Sequence, residues 1–280
     1  MFIFDNLIYY KRRIGVDIII IINSRMSLSR TVALITGAGQ GLGLATAKRL
    51  ASKGAYICVA DILEEKVHDL CKTLGDRSIP LIVDVTSEKD IQNAMDAIIN
   101  KWGRLDVAVN CAGVSPPMRT INKKGHPHCL EQFKKVINVN TIGTFNVVRL
   151  AAEKMALNKC DADGKRGVII NTASIAAMDG QIGQAAYAAS KGAVVSMTLP
   201  IARDLSSFGI RICTIAPGLF MTPMMEGLPQ QVQVDLAKTV PFPKRLGFPD
   251  EYAQLVESII TNPMLNGETI RLDGALRMMP

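Results

Sequence analysis

Tyr187 and Lys191 stand four residues apart, and Ser174 lies thirteen residues ahead of the tyrosine. A free phenol titrates at about 10 and is a poor base at neutral pH, but an ammonium one turn along the same helix face stabilises its phenolate. A serine hydroxyl at the end of the preceding strand can hold an alcohol oxygen against that phenol. The chemistry that needs this trio is removal of an alcohol proton while hydride leaves the same carbon. A Tyr-x-x-x-Lys pair by itself is common on helix surfaces; Ser174 and a nucleotide-type turn upstream give it a catalytic reading.

That turn reads Thr36-Gly37-Ala38-Gly39-Gln40-Gly41-Leu42-Gly43, after an apolar run and directly before a helical pattern. Gly37, Gly41 and Gly43 allow a tight turn and close approach to a pyrophosphate, whose charge a helix N-terminus favours. Asp61 ends the next apolar run, where a carboxylate accepts hydrogen bonds from a ribose 2′-hydroxyl and repels a 2′-phosphate. Gln40 occupies the turn and Ile62 follows the aspartate, so no cation is expected beside Asp61 and NAD is favoured over NADP. His126, His128 and Cys129 cluster without a second pair at ligand spacing, so no metal is expected.

The elements that must carry these residues alternate. Short apolar runs at 32–35, 56–60, 79–83, 107–109, 168–171, 210–215 and 269–272 read as strands. Helical patterns fall at 43–53, 64–74, 88–102, 131–157, 185–205 and 251–260, with Ser87 and Asp250 as N-caps. The expected fold is a single α/β domain over 29–280, a Rossmann-like doubly wound parallel sheet of seven strands with helices on both faces. Ligands then bind beyond the carboxyl ends of the strands, which makes the stretches 114–129 and 217–243 candidate substrate loops.

Composition agrees with this. With 280 residues, 48% of them hydrophobic and only 5% aromatic, the chain can bury one substantial aliphatic core. Six scattered cysteines with no C-x-x-C pair suit a reducing compartment. The net charge of +7 permits a polyanionic partner, but its dispersal along the chain favours solvated helix faces. Residues 1–28 differ from the rest. Lys11, Arg12 and Arg13 suggest a targeting leader, Asp5 and Asp17 argue against one, and Met26 is an alternative start. The apolar run 18–22 is far shorter than the ~20 residues a membrane span requires, so no transmembrane anchor is expected.

Taken in order and spacing, the glycine turn, Asn110-Cys111-Ala112-Gly113, Asn140, Ser174, Tyr187-x-x-x-Lys191 and Pro217-Gly218 resemble the short-chain dehydrogenase/reductase family from about Thr31 to the C-terminus. Stretches such as Gly183-Gln184-Ala185-Ala186-Tyr187 and Ala216-Pro217-Gly218-Leu219-Phe220 are similar to members that oxidise 3-hydroxyacyl-CoA thioesters in mitochondria. The resemblance implies a catalytic Asn140 that interrupts a helix and holds a water linking Lys191 to solvent. It implies cofactor contacts from Gln40, Leu42, Asp84, Val85, Cys111, Phe220 and Thr222, with Gln184 beside the substrate. A homotetramer and a mitochondrial location are implied too, the cytoplasm being the alternative. Met221, Met224 and Met225 could line an adaptable apolar pocket, and Lys123 and Lys124 could meet coenzyme A phosphates or simply form a solvated loop tip. A steroid or other secondary-alcohol dehydrogenase is the alternative within enzymes. Membership of a tRNA-processing complex is the alternative of another class.

Overall fold

The computed structural model describes residues 3–4, 7–8 and 28–279. Apart from a two-residue antiparallel pairing of Ile3–Phe4 with Leu7–Ile8 and Leu28 itself, the expected leader, with its basic residues and Met26, lies outside the described residues.

Seven strands form one parallel sheet: β1 Val32–Thr36, β2 Tyr56–Asp61, β3 Ser78–Ile82, β4 Val107–Asn110, β5 Gly167–Thr172, β6 Ile210–Pro217 and β7 Thr269–Leu272. Their spatial order is β3-β2-β1-β4-β5-β6-β7. Each expected strand is present to within two residues. The runs form strands because their β-branched residues are covered on both sides, as a parallel sheet requires; every residue of β1, β4 and β6 is buried.

The helices α1 Gly41–Ser52, α2 Glu64–Leu74 and α9 Pro249–Thr261 cover one face, packing Leu50, Val67, Tyr252 and Val256 on Ile35, Val59 and Ile170. On the other face lie α3 Glu88–Trp102, α5 Thr144–Ala156 and α6 Ala185–Asp204, where Met95, Ile98 and Met155 meet Ile169 and Ile212. Each such aliphatic side chain stabilises the fold by roughly 1.5–3 kcal/mol. Chain order reverses between the neighbours β1 and β4, so the crevice of the doubly wound sheet opens beyond Thr36 and Asn110, which pair in register.

Three expectations need correction. The helix placed at 131–157 is broken, where the resemblance set an interrupting Asn140, into α4 Leu130–Ile137, a wide π turn Asn138–Gly143 and α5. A Cβ on Gly143 would stand 2.6 Å from Val85 Cγ2, so the close approach of this turn to the β3 exit needs glycine. The loop 217–243 contains α7 Pro223–Glu226 and α8 Gln230–Thr239; no residue of α8 is buried, so no apolar stripe announced it. Asp250 is not the N-cap of α9. Phe248 holds that position, Pro249 follows at the first helical residue, and the Phe248 N–H donates to Glu251 at 2.7 Å. Ser87 does cap α3, accepting from the Asp90 N–H at 3.2 Å.

Candidate active site

The cradle begins where β1 ends. Gly37 adopts φ +64°, and a Cβ there would lie 2.7 Å from the Ala112 nitrogen, so the turn presses directly on the backbone leaving β4. A Cβ on Gly43 would stand 2.2 Å from the Gly37 carbonyl oxygen; α1 is thereby seated on its own turn. Gln40 is the N-cap of α1 but makes no side-chain cap, which leaves the first-turn N–H groups for an anionic ligand. At the end of β2, buried Asp61 accepts from the Gly39 N–H at 2.9 Å and from the Leu63 N–H at 3.1 Å. A glycine turn, a helix N-terminus and a fixed carboxylate fit a dinucleotide. The expectation that no cation stands here is overturned: Lys66, on α2, donates to Gln40 Oε1 at 2.6 Å. No sequence motif flagged it, because it reaches the turn from the next helix.

Ser174 follows β5 and opens a short 3-10 turn, Ile175–Ala177, accepting from the Ala176 N–H at 3.1 Å. Tyr187 and Lys191 lie one turn apart on α6, and the lysine is only 4% exposed. Its Nζ donates to the Thr172 carbonyl at 2.7 Å and lies 5.7 Å from the centre of the Tyr187 ring. Burial pushes the Lys191 ammonium down to about 8, opposed by Cys111. Burial also raises the Tyr187 phenol, and a hydrogen bond with Ser174 lowers it in part. An alcohol oxygen placed between these two hydroxyls meets a hydrogen-bond partner and a base whose anion the ammonium can stabilise.

Asn140 sits in the π turn, fully buried. Its Oδ1 accepts from the Val114 N–H at 2.8 Å, and its Nδ2 donates to the Val114 carbonyl at 2.9 Å and to Ser190 Oγ at 3.0 Å. The amide thus ties the segment leaving β4 to α6, between Tyr187 and Lys191. Behind the lysine, Thr172 Oγ1 shares a 2.7 Å hydrogen bond with the hydroxyl of Tyr252, and Cys111 lies 3.5 Å from Thr172 Oγ1. Burial pushes the Cys111 thiol up. Thr172, Ser190 and Tyr252 gave no signal in the sequence, since each contributes through a contact distant along the chain.

The profile of the family described as short chain dehydrogenase matches residues 31–233. The chain belongs to this family. It is 59% identical over 254 residues to 3-hydroxyacyl-CoA dehydrogenase type-2 of Drosophila melanogaster, covering 90% of this chain and 100% of that one. It is 56% identical over 255 residues to the Homo sapiens protein of the same name, covering 91% and 98% respectively. Among solved structures, the crystal structure of 3-hydroxyacyl-CoA dehydrogenase type-2 from Mycobacterium avium superposes with a TM-score of 0.87 at 41% identity, over 92% of this chain and 99% of that one.

The other residues singled out in this short-chain dehydrogenase fall into two groups. Thr222 faces the glycine turn, its Cβ 3.6 Å from where a Cβ on Gly41 would be, so the β6 exit closes over the cradle. Gln184 is the N-cap of α6, and its Oε1 accepts from the Gln181 N–H at 3.3 Å. By contrast, Leu42 packs on the apolar core, Val85 packs on Gly143, and the Phe220 ring is buried against Gly247. The Asp84 carboxylate accepts from the Thr86 N–H and hydroxyl at 2.9 and 2.8 Å, within its own loop. Lys123 and Lys124 cap a small hairpin closed by the pairing of Ile121 with Pro127; its root is held where the Met118 N–H donates to the Gly183 carbonyl at 2.8 Å. His128 Nδ1 lies 2.8 Å from the Cys129 carbonyl in the same hairpin. Among the described residues no helix is long and apolar enough to cross a membrane.

Proposed function

We propose that this chain is an NAD-dependent dehydrogenase that oxidises the 3-hydroxyl of 3-hydroxyacyl-CoA thioesters to the 3-oxo group. The observation that carries the chemistry is the buried Lys191 ammonium, held by the Thr172 carbonyl beneath the Tyr187 ring, with Ser174 beside the phenol. The relatives named 3-hydroxyacyl-CoA dehydrogenase type-2 support the substrate class. Bound NAD would supply the hydride acceptor, held by the 37–43 turn and by Asp61 at the ribose. Ser174 fixes the substrate oxygen, and Tyr187 takes its proton onto the phenolate oxygen that Lys191 stabilises. Asn140 fixes the backbone at Val114 and the helix face that carries Lys191, and in this proposal it also holds the water through which the proton leaves. Gln184 and the methionines of the β6 exit would line the acyl site, and Lys123 and Lys124 would meet the coenzyme A phosphates.

A steroid or similar bulky secondary alcohol is the second reading, favoured by exposed Met178, Ile182 and Met224 along the loops around the cleft. The family resemblance also implies a homotetramer, a mitochondrial location and a tRNA-processing partnership; sedimentation, organelle import and salt-dependent tRNA titration test these in turn. The deciding experiment assays 3-hydroxyacyl-CoA thioesters, steroids and simple alcohols with NAD. Thioesters are expected to have the highest kcat/KM, and Tyr187→Phe should lower turnover by at least ~10²-fold. Turnover near the parent's in that variant, or no thioester oxidation, overturns the proposal.

A further inference from the structure

Lys66 is the third residue of α2. A helix N-terminus disfavours a cation there, and the preceding Glu64 and Glu65 are the residues that position ordinarily selects. The lysine does not turn back to them: among the described residues no carboxylate lies within 4.0 Å of its ammonium. It arches instead across Gly39 to the glycine turn, where Nζ meets Gln40 Oε1 at 2.6 Å. Gly39 makes the crossing possible. A Cβ on that glycine would stand 3.0 Å from Asp61 Oδ2 and 3.2 Å from Lys66 Cβ, so carboxylate and lysine stem flank the same backbone atom.

We propose that Lys66 is a specificity residue of the adenosine ribose site, giving the 2′-phosphorylated dinucleotide, NADP, access as a second and weaker cofactor. This rests on the proposed binding of NAD with its ribose at Asp61. A 2′-hydroxyl satisfies the Asp61 carboxylate, whose two oxygens are already oriented by the Gly39 and Leu63 N–H groups. A 2′-phosphate at the same place is repelled by Asp61 and met by the Lys66 ammonium, which has only a neutral amide oxygen to give up. Asp61, Glu64 and Glu65 keep the local charge negative, so NAD stays the better cofactor. Lys66 sets how much better. Because Lys66 and Gln40 are both exposed, the contribution is modest and is screened by salt.

The test compares kcat/KM for NADP and for NAD in the parent, Lys66→Ala and Lys66→Arg at low and high ionic strength. At low salt, Lys66→Ala should lower the NADP-to-NAD ratio roughly fivefold, Lys66→Arg should keep it, and added salt should bring the parent towards Lys66→Ala. An unchanged ratio in Lys66→Ala at low salt overturns the inference. Should the purified chain oxidise no substrate with either cofactor, it is the proposed function that fails; calorimetry with 2′,5′-ADP and 5′-AMP then decides the lysine's role. Weaker binding of 2′,5′-ADP alone in Lys66→Ala supports it, and equal affinities in parent and variant sink it.

Discussion

Gly43, where an added Cβ would stand 2.2 Å from a carbonyl oxygen, and Met224, 61% exposed beyond the β6 exit, represent two contrasting regions at the carboxyl end of the sheet. The dinucleotide side is made of backbone, glycines and buried polar groups, with tolerances of a few tenths of an ångström. The side proposed for the substrate is made of protruding side chains on a hairpin, a short helix and a tail. A cofactor shared by many enzymes can be met by rigid backbone, whereas a family's range of substrates is served by loops that change without disturbing the sheet.

The sharpest way to break this contrast is a single methyl group on the rigid side. Gly43→Ala should cost on the order of 3 kcal/mol, because the clash is with backbone, and should lower Tm by roughly 10 °C together with NAD affinity; thermal unfolding and a binding titration check both. Lys191 tests whether the catalytic group shares that buried character. Its folded value of about 8 lies below the ordinary 10.5. Below pH 8 both folded and unfolded chains are protonated, and the full burial penalty applies. Between about 8 and 10.5 the unfolded chain holds more protons, so stability rises with pH; above that range the penalty is gone. The rise should approach about 3 kcal/mol and be absent from Lys191→Met, as read from denaturation midpoints against pH.

Arg271 lies between the two regimes. It donates to Asp179, beyond Ser174, at 2.6 Å and to Asp273 at 2.7 Å, fastening the C-terminal segment to the substrate side. Its guanidinium, by hydrogen bond first and charge second, holds the Asp179 carboxyl below the usual range. Arg271→Met leaves the largely buried Asp179 without its ion-pair partner and Asp273 with only Arg277 at 3.3 Å; it should cost about 2 kcal/mol, raising KM for the alcohol more than KM for NAD. The smallest effect is expected at Met224. Met224→Ala should change stability by less than about 0.5 kcal/mol and act through KM for long or bulky substrates; an equal loss with every substrate would show this side to be as rigid as the cradle.

The same contrast explains what could be read in advance. The seven strands, the glycine turn and the helix that carries Tyr187 and Lys191 were legible because each is written in consecutive or helically spaced residues. Lys66 beside Gln40, Tyr252 beneath Thr172 and Asn140 at Val114 were not, since each joins positions far apart in the chain. The break in the long helix carries no proline, so only the family resemblance, at Asn140, pointed to it; α8 buries nothing and altered no local pattern. Asp250 misled as a cap because the helix starts two residues sooner, at Pro249.

The wide turn at Asn138–Gly143 has one further consequence. The turn holds one residue more than a regular α-helical turn, so losing one would let α4 and α5 run on as a regular helix with their faces still in phase while the backbone around Asn140 tightens. Asn140 would lose the widened seat from which it reaches Val114 and Ser190, although no side chain there had been exchanged. At this point in the chain, length itself is under constraint, and a gap of one position is a more drastic change than most replacements.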